Sequence, residues 1–185
     1  MLAYRIVPFV VLLSLGGMLG SAAGAETARP TSLCAKTEAV VFGCAQGGKI
    51  VSLCAAPVAL GSKQTRLRYL SGSPQKLDLE ITQAAHPEAF TAGVAAHAGG
   101  GIDYVRVRNG GYAYVVYIGQ TSTWSQDGWI VESRNAAVSH HICKQVATGE
   151  QVWGPVYSAK LPQAPDNTTF RPPDWTGASP PHHIR

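Results

Sequence analysis

The sequence predicts an all-β domain, an antiparallel meander of about eight short strands closing as a small barrel or sandwich and stapled by disulfides. Three observations predict it. Runs rich in Val, Ile, Leu and Tyr alternate with Gly- and Asn-containing turns at short intervals. The segment Lys76 to Thr82 (KLDLEIT) places Leu77, Leu79 and Ile81 on one side and Lys76, Asp78 and Glu80 on the other, the period-two pattern of a half-buried strand. Four cysteines, Cys34, Cys44, Cys54 and Cys143, make an even set, which in an exported chain reads as bridges.

Residues 1–25 read as a secretory signal peptide. Arg5 supplies the positive region, Ile6 to Leu19 is largely apolar, and Ala23-Gly24-Ala25 offers a small-residue cleavage site before Glu26. The apolar run is shorter than the roughly 20 residues of a spanning helix, so no stable membrane span is expected after cleavage. A periplasmic or secreted domain over residues 26–161 follows from that reading. The formal charge is +4, with basic residues no denser than the alternating Arg66/Arg68 and Arg106/Arg108 pairs. A nucleic-acid protein carries a basic stripe, and none is present.

Glu38 to Ala45 and Lys49 to Ala55 flank Gln46-Gly47-Gly48 and predict a first hairpin. Thr65 to Leu70 and Lys76 to Thr82, around Ser71-Gly72-Ser73-Pro74, predict a second. Gln83 to Gly101 is rich in Ala and Gly, and reads either as a short helix from Pro87 to His97 or as a long surface loop. Asp103 to Ile118 (DYVRVRNGGYAYVVYI) is the strongest hairpin signal. A two-residue loop at Asn109-Gly110 would set Val107 opposite Tyr112. A three-residue loop would set Val107 opposite Ala113, and this register is preferred because it gives one aliphatic face. Its other face then carries Tyr104, Arg106, Arg108, Tyr112 and Tyr114, an Arg/Tyr surface of the composition favoured in binding hot spots.

Gln120 to Gln126 reads as a polar loop. Gly128 to Arg134 and Ala137 to Lys144, around Asn135-Ala136, predict a fourth hairpin. Gln151 to Tyr157 reads as an edge strand, because Pro155 cannot donate to a ladder. Residues 162–185 hold six of the chain's twelve prolines and read as a disordered tail. Asn167-Thr168-Thr169 matches a glycosylation acceptor, a short pattern that arises easily by chance.

Nine-residue gaps between Cys34, Cys44 and Cys54 do not suit zinc. Three disulfide pairings are open. Cys34–Cys54 with Cys44–Cys143 is favoured because the first hairpin brings the residues before Glu38 close to Cys54. Adjacent His140 and His141 point to opposite strand faces and cannot chelate one ion as a pair. No cofactor is expected: the glycines Gly99-Gly100-Gly101 precede a strand rather than a helix. The sequence therefore predicts a non-enzymatic module binding an envelope or secreted protein, or a glycan. A cell-wall hydrolase would have to use His97 with Asp103, Asp127 or Glu132.

The runs VVFGCAQGGKIVSLCAA, LRYLSG with LDLEI, IDYVRVRNGGYAYVVY and WIVES…HHIC resemble a group of small exported bacterial β proteins, over roughly Cys34 to Cys143. Cys44, Cys54 and Cys143 match the group's cysteine positions. The resemblance implies export, with the periplasm as destination, and implies no activity. More faintly, the first hairpin is similar to β-barrel lysozyme inhibitors of bacterial envelopes, which present a Ser-Gly loop to the enzyme. Here Ser71-Gly72-Ser73 would fill that role, without the surrounding inhibitor motif.

Overall fold

A computed structural model describes residues 31–144, 146–147, 153–166 and 169–175. The expected signal peptide and residues 176–185 lie outside the described residues. Nine strands of six to ten residues and one two-residue strand form two five-stranded sheets, all pairs within them antiparallel. The first sheet contains β1 (Ala39–Gln46), β2 (Lys49–Pro57), β3 (Thr65–Gly72) and β4 (Leu77–Thr82). The second contains β5 (Phe90–His97), β6 (Gly100–Asn109), β7 (Tyr112–Gln120), β8 (Ser125–Ser133) and β9 (Ala136–Ile142), each beside its chain neighbour. The short β10 (Val146–Ala147) returns to pair with β1 through Gly43 and Cys44.

The hairpins follow from local chemistry. Gly47-Gly48, Gly110-Gly111 and Arg134-Asn135 occupy two-residue turns with φ > 0 at both positions, as the strand twist requires. At the third of the predicted hairpins the register differs from both alternatives. Asn109 pairs with Tyr112, Val107 with Tyr114 and Val105 with Val116. The loop is Gly110-Gly111, because two glycines accept two positive φ values more readily than Asn109 with one glycine. This correction separates the expected face. Tyr112 and Tyr114 lie on the side opposite Tyr104, Arg106 and Arg108.

Two other segments depart from expectation. Phe90–His97 is neither helix nor loop but an edge strand, preceded by a single 3-10 turn at Pro87–Ala89. Its small residues are required by packing, since a Cβ at Gly93 would sit about 2.5 Å from the Tyr104 ring. Tertiary contact here overrides the helical preference of Ala. Of the expected edge strand Gln151 to Tyr157, residues 151–152 lie outside the described residues and the described part, 153–157, forms no strand. Gly154–Ser158 is one helical turn, α1, with Pro155 in its first turn, where the missing N–H costs nothing.

The sheets share an apolar core. Val51, Leu53 and Ala55 of β2, Leu67 and Tyr69 of β3 and Ile81 of β4 meet Val105 and Val107 of β6, Val116 of β7 and Trp129 of β8. Leu79 joins this cluster partly buried, whereas Leu77, at the strand's end, is exposed. The disulfides take the favoured pairing. Cys44–Cys143 links β1 of one sheet to the chain leaving β9 of the other. Cys34–Cys54 pins the lead-in segment onto the outer face of β2, where the Leu33 N–H also donates to Ser52 Oγ at 2.9 Å. Such bridges belong to an oxidising, exported environment. No helix among the described residues is long and apolar enough to cross a membrane.

A second cluster lies on the outer face of the second sheet. Ile102, Tyr104, Val115, Tyr117 and Ile130 are buried there beneath Ala164 and Phe170. The described part of the segment expected to be a loose tail, residues 162–166 and 169–175, therefore packs as a strap, with both Ala164 and Phe170 at least 95 % buried. The physical reason lies in β6 and β7: they are apolar on both faces, so the outer face also needs a cover.

Candidate functional site

The five hairpin residues fall into three environments. Tyr104 and Arg106 are buried beneath the strap. Arg108 and Tyr112 are exposed near the turn, around a hollow of about 350 Å³ that also takes in Glu88, Glu132 and Arg134. Tyr114 faces inward, with its ring 5.3 Å from that of Tyr69.

Arg106 is the most heavily committed charge among the described residues. Its Nε and Nη2 donate to Glu132 at 3.0 and 3.1 Å, and its Nη1 and Nη2 donate to Asp166 of the strap at 2.6 and 2.8 Å. The Tyr104 hydroxyl donates to the same Asp166 carboxylate at 2.8 Å. Burial works against ionising Arg106, but the hydrogen bonds it donates to its two carboxylates outweigh burial and push its pKa up. Burial would likewise raise Asp166, yet the bonds from Arg106 and Tyr104 hold it below the usual carboxylate range. Further along, Asp174 approaches His140 Nδ1 at 3.2 Å, and His140 Nε2 lies 2.8 Å from the Tyr117 hydroxyl.

The mouth between the sheets holds a second arrangement, which the sequence did not suggest. A cleft of about 560 Å³ is lined by Tyr69, Tyr114 and Trp129, with Lys49, Ser71, Ser139 and His141 as polar groups. His141 stacks on Trp129 at 3.9 Å and its Nε2 lies 2.6 Å from Ser139 Oγ. Burial, with His140 and Lys49 nearby, lowers its pKa, so the imidazole is neutral at neutral pH. Ser139 and His141 are two residues apart on one strand face, so their contact follows from the pleat. His140, as expected, points the other way.

The groups considered for hydrolysis are dispersed. His97 and Glu132 lie toward opposite ends of the outer face, roughly 25 Å apart along the strands. Asp103 is on the inner face. Asp127 shares that face, with Ile118 between the two aspartates, and burial raises both their pKa values. None of the hollows described above is lined by both. Asp103 binds its proton more tightly folded than unfolded. Its contribution to stability is therefore full below the unfolded value, near pH 4, and is lost as pH rises through the folded value. Asp103→Asn is expected to raise the melting temperature at pH 7 and to give no gain at roughly pH 3. A thermal-unfolding pH series checks both arms.

Ser71 and Gly72 belong to β3 and are buried, and only Ser73 of that trio is partly exposed. Cys34, Glu38 and Cys54 cluster with metal-ligand spacing, but both sulfurs are consumed by the disulfide. No family model, curated protein or solved structure matches the chain.

Proposed function

We propose that this is an exported, non-enzymatic β domain, periplasmic or secreted, that binds a component of the cell envelope in the cleft between its two sheets. The observation that carries the reading is the cleft's lining: aromatic rings of Tyr69, Tyr114 and Trp129 with a few convergent polar groups, Lys49, Ser139 and His141 among them. Ligand sites are mostly apolar hollows of about 300–1,000 Å³ in which a small set of polar groups fixes orientation. Aromatic faces with hydroxyl, amine and neutral imidazole groups suit the apolar faces and hydroxyls of a glycan. The shared core supports reading the two sheets as a sandwich whose open end is this cleft. Likeness to the small exported β proteins is part of the same proposal.

Isothermal titration with soluble peptidoglycan fragments tests it. Saturable binding is expected, and Lys49→Ala with Tyr114→Ala should weaken it at least tenfold without loss of fold. Absence of saturable heat with the folded native chain would remove the reading.

A further inference from the structure

The strap is held as a bound peptide is held. It enters by strand addition: the Ala92 N–H on edge strand β5 donates to Pro162 O at 3.0 Å, and the Ala164 N–H donates back to Ala92 O at 2.7 Å, making a parallel bridge at Gln163. Backbone pairing on a free sheet edge supplies affinity in this recognition mode, and side-chain pockets supply selectivity.

Two such pockets follow along the strap. The first is a carboxylate fork. Arg106, 4 % exposed, receives Glu132 from its own sheet on Nε and Nη2, and this fixes the guanidinium plane from within the domain. The Nη1–Nη2 edge then meets Asp166 in a two-point geometry, reinforced by the Tyr104 hydroxyl. The second pocket is aromatic. Phe170 stacks on Tyr104 with centroids 4.1 Å apart and meets Tyr117 edge-on at 6.2 Å. Trp175 then fits between His97, at 4.4 Å, and Trp124, at 4.6 Å.

The strap does not fill the surface it crosses. A hollow of about 560 Å³ remains beside Asp166 and Phe170, bordered by Arg106, Arg108, Ile130 and Asn135. Arg108 stands about 7 Å from Arg106 on the same face. It is exposed and makes no salt bridge among the described residues. The groove thus offers a second cation that the strap leaves unused.

We infer that the outer face of the second sheet is a recognition groove for a peptide bearing a carboxylate and, four residues later, an aromatic ring, with residues 163–166 and 169–175 of the chain as its resident occupant. A partner segment of that chemistry takes the groove by displacing the strap. The inference stands apart from the glycan cleft, which lies on the opposite face of the same sheet.

The probe is a labelled peptide with the sequence of residues 163–175, QAPDNTTFRPPDW. The full chain carrying Asp166→Asn and Phe170→Ala should bind it at least tenfold more tightly than the native chain, whose own strap competes. A peptide carrying the same two changes should not bind. Equal binding to both chains, or equal binding of both peptides, would place the contact elsewhere and overturn the inference, as would no binding to a folded double variant. Should the double variant not fold, amide exchange at Ala164 of the native chain decides: faster exchange with excess peptide supports displacement, and unchanged protection refutes it.

Discussion

Serine at both Cys44 and Cys143 is expected to be among the most damaging conservative changes to this domain. The bridge closes a sequence separation of 99 residues, against 20 for Cys34–Cys54. In the chain-entropy account, a loop near 100 residues is worth about 4.7 kcal/mol and one of 20 about 3 kcal/mol. The double serine variant at Cys44 and Cys143 should therefore lose on the order of 10 °C or more in melting temperature. The Cys34/Cys54 variant should lose less, by about 1–2 kcal/mol. Denaturant titration of the two variants side by side checks the order. Equal losses would show that bond strain or residual structure in the unfolded chain, rather than loop length, sets the stabilisation. The two bridges also differ in kind. One ties sheet to sheet, so its loss frees the β1–β10 corner, whereas the other only releases the lead-in from β2.

Arg106→Leu is the second large effect. Removing the guanidinium leaves Glu132, whose side chain is 12 % exposed, as a buried carboxylate facing an apolar neighbour. Breaking one side of a buried ion pair costs about 3–5 kcal/mol, and that range is expected here in urea unfolding. Asp166→Asn should cost only about 1 kcal/mol, because its side chain is one-third exposed and water replaces part of what is lost. The Asp166→Asn effect carries a pH dependence of its own. Asp166 has a depressed folded pKa, so its contribution is present above the unfolded value near pH 4 and fades as pH falls through the folded one. The gap between the native chain and Asp166→Asn should therefore close in acid.

The strands were legible because their signals are local. Glycine pairs at residues 47–48 and 110–111 mark turns, and period-two alternation in β4 marks a half-buried strand. The disulfide pairing was legible for the same reason, since hairpin geometry brings Cys34 to Cys54 and leaves Cys44 for Cys143. The register of the Asn109 hairpin was not, because β6 and β7 carry apolar residues on both faces and alternation could not choose between them. That double-sided character was the available sign of the strap: YAYVVYI, at residues 112–118, lacks the polar alternation of a solvated face. The strap itself was hidden by its prolines. They remove backbone donors and suggest disorder, yet the segment needs only a few bonds, at Pro162, Ala164 and Asp166, to be anchored. The cleft was equally out of reach. Tyr69, Tyr114 and Trp129 come from three different hairpins, and no sequence spacing joins them.

The two outer faces are covered by opposite ends of the chain, and this sets an order of events. The lead-in, Cys34 and Cys54 lie close in sequence, so the cover of the first sheet can lock as soon as the first hairpin exists. The second sheet has no such early cover. Its outer apolar surface, Tyr104, Tyr117 and Ile130, stays wet until the strap is made, and contacts of long sequence separation form slowly. A nascent or exported chain thus passes through an interval in which one face is finished and the other is bare. During that interval, the domain's main exposure to wrong association lies on β6, β7 and β8.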